Sequence, residues 1–388
     1  ILKKFLFFLI IIFRLLIGKD IFLVKLYGER IGHLALVTDY FFRKIQNNNN
    51  KSIYIGIIQS KTANEYLIKL IKKKITLLKL PLKIFNFFVD TLRKEKFFKD
   101  YRNSNIYVEY DLYQGTNVNF IISDDDKLKG EYLLEKNGIS KNDWFVCFHN
   151  RTSKYLEEYS KHLYGHNVNF DYHDFRDTKV NTYKEALNFI IDNGGYVIRI
   201  GHNTDEKIDF LKEQKYFIDF SDEKRSDFSD IFLSSKCKFF LGSNAGINVI
   251  PYTFHKPLIT SNHTPIFVSA SPRIDTLSIP NIIWSIKENR PLHFKEVFQN
   301  DIWKYGQTSQ FKENNLKVLK NSGEIILQTT KQLFIRIEKN EYSKNNELEH
   351  IKDKFNSILP HTHQGKNKSG FLNTISDSFY MINKNLIL

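Results

Sequence analysis

The sequence has few of the residues that mark several classes of protein. Its 388 residues include only two cysteines, Cys147 and Cys237, which excludes a disulfide framework and any zinc module built on several cysteines. With 17 glycines and 8 prolines, the chain is neither collagenous nor dominated by linkers. Hydrophobic residues make up 42% of it and aromatic residues 15%, so wholesale disorder is excluded and a chain of this length can bury a large core.

Arginine is also scarce. It accounts for 12 of the 57 basic residues, and the 43 acidic residues leave a formal charge of +14. The chain is rich in Asn, Ile and Phe as well, a combination typical of AT-rich coding, which raises the lysine content whatever the protein does. The charge therefore permits anionic partners, but we expect no nucleic-acid partner from it.

The N-terminal apolar run is too short to span a membrane. Residues 5–13 are apolar, between Lys3–Lys4 and Arg14. A spanning helix needs about 20 apolar residues, and Arg14 would lie near its middle. Since residues 18–20 make a poor cleavage site for a signal peptide, we expect residues 1–19 to form a basic, apolar helix lying on a membrane surface. A buried helix and a signal anchor are the alternatives.

Patterns of strands and helices alternate along two stretches of the chain. In the first stretch, residues 21–26, 52–58 and 106–110 have strand patterns, and residues 34–45 and 61–74 have helical ones; no boundaries could be placed between residues 75 and 104. In the second stretch, strands are predicted at 144–148, 196–200, 237–241 and 257–260, and helices at 128–137, 182–192, where Thr182 and Glu185 have capping-box spacing, and 226–235. Such alternation predicts an α/β fold with two parallel-sheet domains.

The predicted domains are residues 20–125 and 126–340. An acidic turn at residues 124–126 separates them, and residues 341–388 form a tail of uncertain structure, in which residues 361–363 and 365–370 are expected to be flexible surface. Ligands of open parallel sheets bind at the carboxyl ends of the strands. Four clusters follow strands in this way, at residues 28–33, 149–151, 199–202 and 242–246, and this coincidence is the main functional signal.

The first cluster combines two glycines with charged side chains. Gly28 and Gly32 let the loop pass close to a ligand, while Glu29, Arg30 and His33 supply a carboxylate, a guanidinium and an imidazole. The spacing is not that of a dinucleotide-binding fingerprint, so an NAD-dependent enzyme is disfavoured. A βα turn with solvated charges is the alternative to an acceptor loop that carries a general base.

The later clusters favour an anionic ligand. Small residues at 242–246 precede a helical stretch, 247–254, and expose backbone N–H groups that suit a phosphate, but the Lys-Ser/Thr of a P-loop is missing. Arg151, Arg176 and Arg199 are used against the compositional bias, as expected for bidentate contacts to phosphate or carboxylate. Arg199 could equally pair with Asp219 or Asp222. The histidines have no metal-ligand spacing, and we expect no metal.

Taken together, these motifs resemble a family of bacterial surface-polysaccharide glycosyltransferases, distantly similar to heptosyltransferases. The resemblance runs over residues 27–262 and rests on five pieces of sequence: 29–33; 148–151; 174–177 with Tyr183; 194–201; and 239–246 followed by Pro251 and Lys256-Pro257. It implies a GT-B enzyme of two Rossmann-like domains, the first for the acceptor and the second for a nucleotide sugar, with no metal and no cofactor. It also implies that a helix at 324–338 returns to pack on the first domain.

The resemblance further implies roles for individual residues. On this resemblance, the donor-binding residues of the chain are Arg151, Arg176, Arg199, Gly201, Ser243, Asn244, Ala245 and Gly246. The aspartate that heptosyltransferases carry after the turn at 242–246 is missing here. Gly28, Arg30 and Gly32 form the acceptor-side loop. If the acceptor hydroxyl displaces the diphosphate directly at the anomeric carbon, the candidate general bases are Glu29 and His33, with Asp177 as a further candidate.

The expected partners are a nucleotide sugar, a lipid-linked or glycan acceptor and a membrane surface, at the cytoplasmic face of the inner membrane. A sugar-nucleotide epimerase or hydrolase of the same fold and a non-catalytic, membrane-associated nucleotide-sugar-binding protein remain alternatives.

Overall fold

The computed structural model describes residues 18–46, 52–102, 104, 112–113, 115–152, 171–202, 206–221, 223–264, 275–340, 345–363, 366 and 369–388. The predicted N-terminal helix of residues 1–19 lies outside these residues except for its last two positions. The strand predicted at residues 106–110 lies outside them as well.

The first sheet has four parallel strands in the order β3-β2-β1-β4. Its strands and helices, in chain order, are β1 (Ile21–Lys25), α1 (Ile31–Gln46), β2 (Ile53–Gln59), α2 (Glu65–Lys72), β3 (Thr76–Leu80), α3 (Leu82–Leu92) and β4 (Phe98–Lys99). The predicted βαβ opening is confirmed. The segment without clear sequence boundaries, residues 75–104, contains β3, α3 and β4.

Helices cover both faces of this sheet. Leu34, Phe41 and Leu67, from α1 and α2, are fully buried on one face. Helix α3 covers the other face with a smaller cluster that includes Phe85 and Leu92. Because strand side chains alternate between faces, strands such as β2 bury apolar residues on both sides.

The second sheet has six parallel strands in the order β10-β9-β8-β5-β6-β7. Its strands and helices are α4 (Asp124–Lys136), β5 (Phe145–His149), α5 (Lys184–Asp192), β6 (Tyr196–Arg199), β7 (Phe217–Asp219), α6 (Asp227–Lys236), β8 (Phe239–Ser243), α7 (Val249–Thr253), β9 (Leu258–His263) and β10 (Thr276–Pro280). Counted from β5, the order is that of the Rossmann fold. The expected α/β class with two Rossmann-like sheets of the GT-B kind is therefore confirmed.

Two local predictions in this region are wrong, and a third is confirmed. Residues 124–126 do not form a turn but the first turn of α4, where Asp126 accepts a hydrogen bond from Lys69 Nζ at 2.8 Å. Thr182 does not cap a helix, because a 3₁₀ turn, Val180–Tyr183, precedes α5 and the Thr182 hydroxyl donates to the Lys179 carbonyl. The helical stretch predicted at 247–254 is present: a 3₁₀ turn, Gly246–Asn248, leads into the short helix α7, which therefore starts late.

The C-terminal part of the chain packs on the second domain. It comprises β11 (Ile282–Ser285), β12 (Arg290–Pro291), α8 (Phe294–Gln299), α9 (Thr308–Glu313), β13 (Leu316–Leu319), α10 (Gly323–Lys339), α11 (Asn346–Ile358), α12 (Ser369–Asn373), α13 (Asp377–Ile382) and α14 (Lys384–Ile387). Strands β11, β12 and β13 form an antiparallel sheet.

Two expectations for this region are wrong. Helix α10 packs against α5, α13, β9 and β10 of the second domain and tail, so it is not a return helix on the first domain. His363 is not flexible surface: it is 2% exposed, with its ring centroid 5.0 Å from that of Trp303 and 5.1 Å from that of Phe371. Burying these aromatic rings outweighs the polar composition of the surrounding sequence.

The two sheets share a continuous apolar core. Helices α1 and α2 of the first domain pack against α7 and α6 of the second, and Tyr66 and Phe228 form an edge-to-face ring pair at 5.0 Å. Close by, Arg43 and Asp39 of α1 are both fully buried and form an ion pair at 2.7 Å. Another guanidinium nitrogen of Arg43 lies 2.9 Å from His255 Nε2. The boundary between the domains is thus a packed interface beside the strand ends.

Candidate active site

The strand order places one crevice in the second sheet. Strands β5 and β8 are neighbours, and the chain winds outward from them in opposite directions, which makes the gap beyond their carboxyl ends the topological switch point. Strand β5 ends at His149 and β8 at Ser243. Arg151 and the predicted donor turn therefore lie at the edge where a nucleotide binds in such folds.

The donor turn is fastened by its own polar side chains. Buried Ser243 accepts a hydrogen bond at its hydroxyl from the Arg151 amide, 2.7 Å, and the Asn248 side chain donates to the Ser243 carbonyl at 2.8 Å. Asn244 donates to the Thr264 carbonyl at 3.0 Å. Ala245 and Gly246 follow at the start of the 3₁₀ turn. These contacts fix the turn relative to β5.

Arg151 and Asp177 lie together in this crevice. A guanidinium nitrogen of Arg151 pairs with the Asp177 carboxylate, and the two side chains are 10% and 26% exposed. Thr178 donates its amide to the Arg151 carbonyl at 3.1 Å, so the loop after the 3₁₀ turn Asp171–Arg176 is held against β5. Asp177, a candidate base, therefore lies in the second domain beside Arg151.

Lys320 is a site residue that the sequence did not point to. It lies between β13 and α10, and its ammonium donates to the Phe175 carbonyl. The side chain reaches solvent, yet neighbouring atoms displace water from the ammonium and Arg151 adds positive charge, which lowers the Lys320 pKa to about 8. Two adjoining cations suit a ligand with several negative charges. Nothing distinguishes this lysine among 45 in the sequence.

Arg199 begins a network of hydrogen bonds beneath the crevice. One guanidinium nitrogen donates to the Asp219 carboxylate at 3.4 Å and another to the side-chain oxygen Oδ1 of Asn150 at 3.1 Å. Asn150 in turn donates to Glu206 at 3.2 Å, and Glu206 accepts from the Val180 amide at 2.6 Å. The pairing with Asp219 that was considered for Arg199 is present, and Asp222 lies outside the described residues.

Gly201 and His149 fit against each other at the end of β6. Gly201 has φ +107°, and a Cβ at this position would stand 2.5 Å from His149 Nδ1, so only glycine is accommodated. His149 Nδ1 donates to the Ile200 carbonyl at 2.9 Å. Burial, with Arg199 and Arg151 nearby, lowers the pKa of His149 to about 4.

Arg176 lies near another buried histidine. His263, at the end of β9, is 5% exposed, and its burial together with the charge of Arg176 lowers its pKa to about 4. The Arg176 guanidinium also lies 5.4 Å from the centroid of the Phe175 ring. Because these strand-end histidines are neutral, the positive charge of the crevice comes from the arginines and Lys320.

The first sheet has its own switch point between β1 and β4. There the Tyr27 hydroxyl donates to Asp100 at 2.6 Å, and Arg102 lies 5.0 Å from the Tyr27 ring centroid. Burial raises the pKa of Tyr27, and the charges of Asp100 and Glu29 raise it further. Glu29 therefore lies close to Tyr27 and Asp100. The sequence did not predict these two residues as part of a site.

His33 lies beside the same tyrosine. The two ring centroids are 6.2 Å apart, and burial together with Arg102 and Arg30 lowers the pKa of His33 to about 4. Its Nδ1 is buried and has no hydrogen-bond partner among the residues that the structure describes. The imidazole is thus neutral at pH 7.

The two loops meet at their glycines. A Cβ added to Gly32 would lie 2.8 Å from the Gly246 Cα, and one added to Gly246 would lie 3.2 Å from the Gly32 amide nitrogen. Gly28, by contrast, packs within its own domain, where a Cβ would stand 3.0 Å from Ile58. The loop after β1 and the donor turn after β8 therefore touch, and the strand ends of both sheets share one region.

Within the described ranges, no group of three or more His, Cys, Asp and Glu residues is arranged to hold a metal ion. The helices of those same ranges include none with the length and apolar character needed to cross a bilayer.

Comparison with known proteins gives distant matches only. No protein-family model matches the sequence, and no curated protein does. Among solved structures, the chain is similar to the glycosyl transferase family 9 protein of Veillonella parvula DSM 2008, with 8% identity and a TM-score of 0.49 over 81% of this chain and 97% of that one. It is also similar to two E. coli proteins. ADP-heptose lps heptosyltransferase II has 11% identity and a TM-score of 0.40, over 63% of this chain and 86% of that chain. Heptosyltransferase WaaC with ADP has 11% identity and a TM-score of 0.36, over 63% and 87%.

A distant similarity to heptosyltransferases was expected from the motifs, and heptosyltransferases are among these structural matches. Strand order and connections within this chain establish the two Rossmann-like sheets independently of these matches.

Proposed function

We propose that the chain is a glycosyltransferase that works without a metal ion. It takes a sugar from a nucleotide-sugar donor in the second domain and transfers it to a lipid-linked or surface-glycan acceptor in the first. The observation that carries this proposal is the contact between Gly32 and Gly246, because it brings the charged loop after β1 against the anion-suited turn after β8. A transferase needs two substrate sites that adjoin in this way.

The donor diphosphate is assigned to the crevice beyond β5 and β8. Arg151 and Lys320 supply positive charge from two sides, and the backbone amides of residues 244–246 supply neutral donors. Such groups stabilise the charge that develops on a leaving diphosphate, the role that a metal ion fills in other enzymes. Arg176 is the third proposed cation, while Arg199, Gly201 and Ser243 hold the site in shape.

Glu29 is the proposed general base. The acceptor oxygen attacks the anomeric carbon, the bond from that carbon to the diphosphate oxygen breaks, and the hydroxyl proton passes to the Glu29 carboxylate. His33 is neutral but, with a pKa of about 4, accepts a proton poorly at pH 7. Asp177 is engaged by Arg151 in the second domain, so it is assigned to orienting that arginine.

A panel of nucleotides tests the donor site. We expect one nucleoside diphosphate, free or as its sugar derivative, to raise the unfolding temperature of the full chain, because a ligand at about 100 times its Kd stabilises a protein by about 2.7 kcal/mol. The panel consists of ADP, UDP and GDP, with CMP as the monophosphate for comparison. If no member shifts the midpoint, the donor assignment is wrong and the binding protein without catalysis is favoured.

Products separate the remaining alternatives. With the stabilising sugar nucleotide and a membrane-lipid extract, a transferase moves labelled sugar into the lipid fraction. An epimerase instead changes the sugar on the nucleotide without any acceptor, and a hydrolase releases free sugar at the same rate with or without the extract.

A further inference from the structure

An apolar surface lies on the side of the first domain away from the second. It consists of Leu78 on β3 and Leu82, Ile84 and Phe87 on α3, which are 42%, 39%, 46% and 55% exposed. We call these four residues the α3 face. They are large apolar side chains close together in sequence and in the fold, whereas single exposed apolar residues are ordinary on protein surfaces.

The strand register explains how Leu78 joins the helix residues. Leu78 pairs with Ile57 of β2, and directly paired residues of neighbouring strands point to the same side of a sheet. Ile57 is buried with Phe85 of α3 in the small core on that side. Leu78 therefore extends the same side of the sheet toward its open edge, beside α3.

Helix α3 is apolar on two of its sides. Phe85 and Leu92, seven positions apart, face the sheet and are buried. Ile84 and Phe87, three positions apart, lie on the adjacent outer side. An ordinary surface helix presents polar residues on its outer side. Because the inner residues already fill the space against the sheet, the outer pair contributes nothing to this core.

The segment that carries the α3 face is rich in exposed basic residues. Residues 76–99 contain six basic and two acidic residues, and Lys83, Arg93, Lys94 and Lys96 are exposed. One of the acidic residues, Asp90, lies 3.9 Å from Arg93. Long lysine side chains can extend past apolar groups to reach phosphates, as in helices that lie at a bilayer interface.

We propose that the α3 face docks the first domain onto an anionic lipid surface. Ile84 and Phe87 enter the boundary between headgroups and acyl chains, and Lys83, Lys94 and Lys96 contact lipid phosphates. This deepens the proposed function, since it names the surface through which the acceptor domain reaches a membrane acceptor, but lipid docking can be measured without any sugar transfer.

The composition of the face distinguishes lipid from other occupants. Interfaces between proteins are depleted in lysine, whereas the segment that carries this face is rich in it. A nucleic-acid partner would be met by positive charge along a backbone rather than by exposed Leu, Ile and Phe. Apolar insertion combined with attraction to anionic headgroups uses both properties of the α3 face.

Vesicle flotation of the full chain tests the proposal. We expect binding to vesicles of phosphatidylcholine with phosphatidylglycerol, and weak binding to phosphatidylcholine alone. The double variant Ile84→Ser, Phe87→Ser should lower the vesicle partition coefficient about tenfold or more, because it lacks the two large apolar side chains whose transfer from water into the bilayer favours binding. The variant Lys94→Glu, Lys96→Glu should lose most of the preference for phosphatidylglycerol.

A matched control uses exposed apolar residues elsewhere. Leu128 and Tyr132, on α4, are 65% and 67% exposed and lie four positions apart. The variant Leu128→Ser, Tyr132→Ser should bind vesicles as the unchanged chain does. If the α3 variant also binds unchanged, or if the chain binds neutral vesicles equally well, the proposal is wrong. If the chain ignores vesicles but self-associates through these residues in sedimentation, the face is a protein interface and the proposal is again overturned.

The nucleotide titration is run on the same variants. An α3 variant that loses vesicle binding but keeps nucleotide-dependent stabilisation shows that docking and the donor site are separate. Failure of nucleotide binding with vesicle binding intact would contradict the proposed function and leave lipid docking standing.

Discussion

Gly32 of the first domain and Gly246 of the second lie in direct contact, and neither position has room for a side chain. A Cβ at Gly32 would stand 2.8 Å from the Gly246 Cα and 3.1 Å from its carbonyl oxygen. Both obstacles are backbone atoms, which cannot move aside as the end of a flexible side chain can. The spacing of the two strand-end loops therefore depends on two glycines 214 positions apart in the sequence.

The variant Gly32→Ala should separate the two loops. We expect a loss of about 1–3 kcal/mol in the free energy of unfolding, as for other overpacked sites. Alanine favours a helix over glycine by up to about 1 kcal/mol, so a net loss has to come from the contact. Urea unfolding measures it. Gly306→Ala is the control, since a Cβ there meets nothing within 4 Å; equal stability of both variants would contradict the contact.

Replacing Arg151 should weaken donor binding. For Arg151→Ala we expect the Kd of the nucleoside diphosphate to rise by one to two orders of magnitude, because a charge-assisted contact is worth about 1.5–3 kcal/mol. Calorimetric titration measures this. Arg290→Ala is the control: it removes an arginine of β12 that pairs with Glu296 of α8, and it should leave the affinity unchanged. Unaltered affinity in the Arg151 variant would make that residue structural.

Replacing Glu29 should separate catalysis from binding. Glu29→Gln keeps the shape of the side chain but cannot take a proton, so transfer should fall by about two to four orders of magnitude while donor affinity stays the same. Asp177→Asn is the comparison and should reduce donor affinity more than it reduces turnover of bound donor. Normal turnover in the Glu29 variant would exclude it as the base.

Donor affinity should decline in alkaline solution. The pKa of Lys320 is lowered to about 8, so the ammonium loses its proton as the pH rises through that value. Diphosphate is fully ionised over this range and cannot compensate, so affinity should fall by about tenfold for one lost charge-assisted contact. Lys320→Met should bind weakly at neutral pH and show a flat profile. If the affinity of Lys320→Met for the donor fell equally at alkaline pH, the pH dependence would come from another group.

Mild acid should destabilise the fold. The pKa of His33 is about 4 in the folded chain against 6.5 for a free histidine. Below about pH 6.5 the unfolded chain therefore binds more protons than the folded chain, and the free energy of unfolding decreases as the pH is lowered. Between pH 6.5 and 5 this histidine should account for about 1–2 kcal/mol. Urea unfolding at pH 6.5 and pH 5 measures the decrease in the free energy of unfolding between the two pH values. In His33→Gln this decrease should be smaller by that amount, whereas His350→Gln, at an exposed position of α11, should leave it unchanged.

The sequence determined the alternation of strands and helices and the glycine-rich and arginine-containing strand ends, because periodicity and turn residues act locally. It therefore predicted two Rossmann-like domains and the loops that later proved to be neighbours. Tertiary structure alone decided which distant groups meet: Lys320 with Arg151, Tyr27 with Asp100, and Gly32 with Gly246. It also buried His363 in aromatic rings and turned residues 124–126 into a helix start. Contacts of this kind depend on long-range packing of apolar surface, which no local pattern of residues specifies.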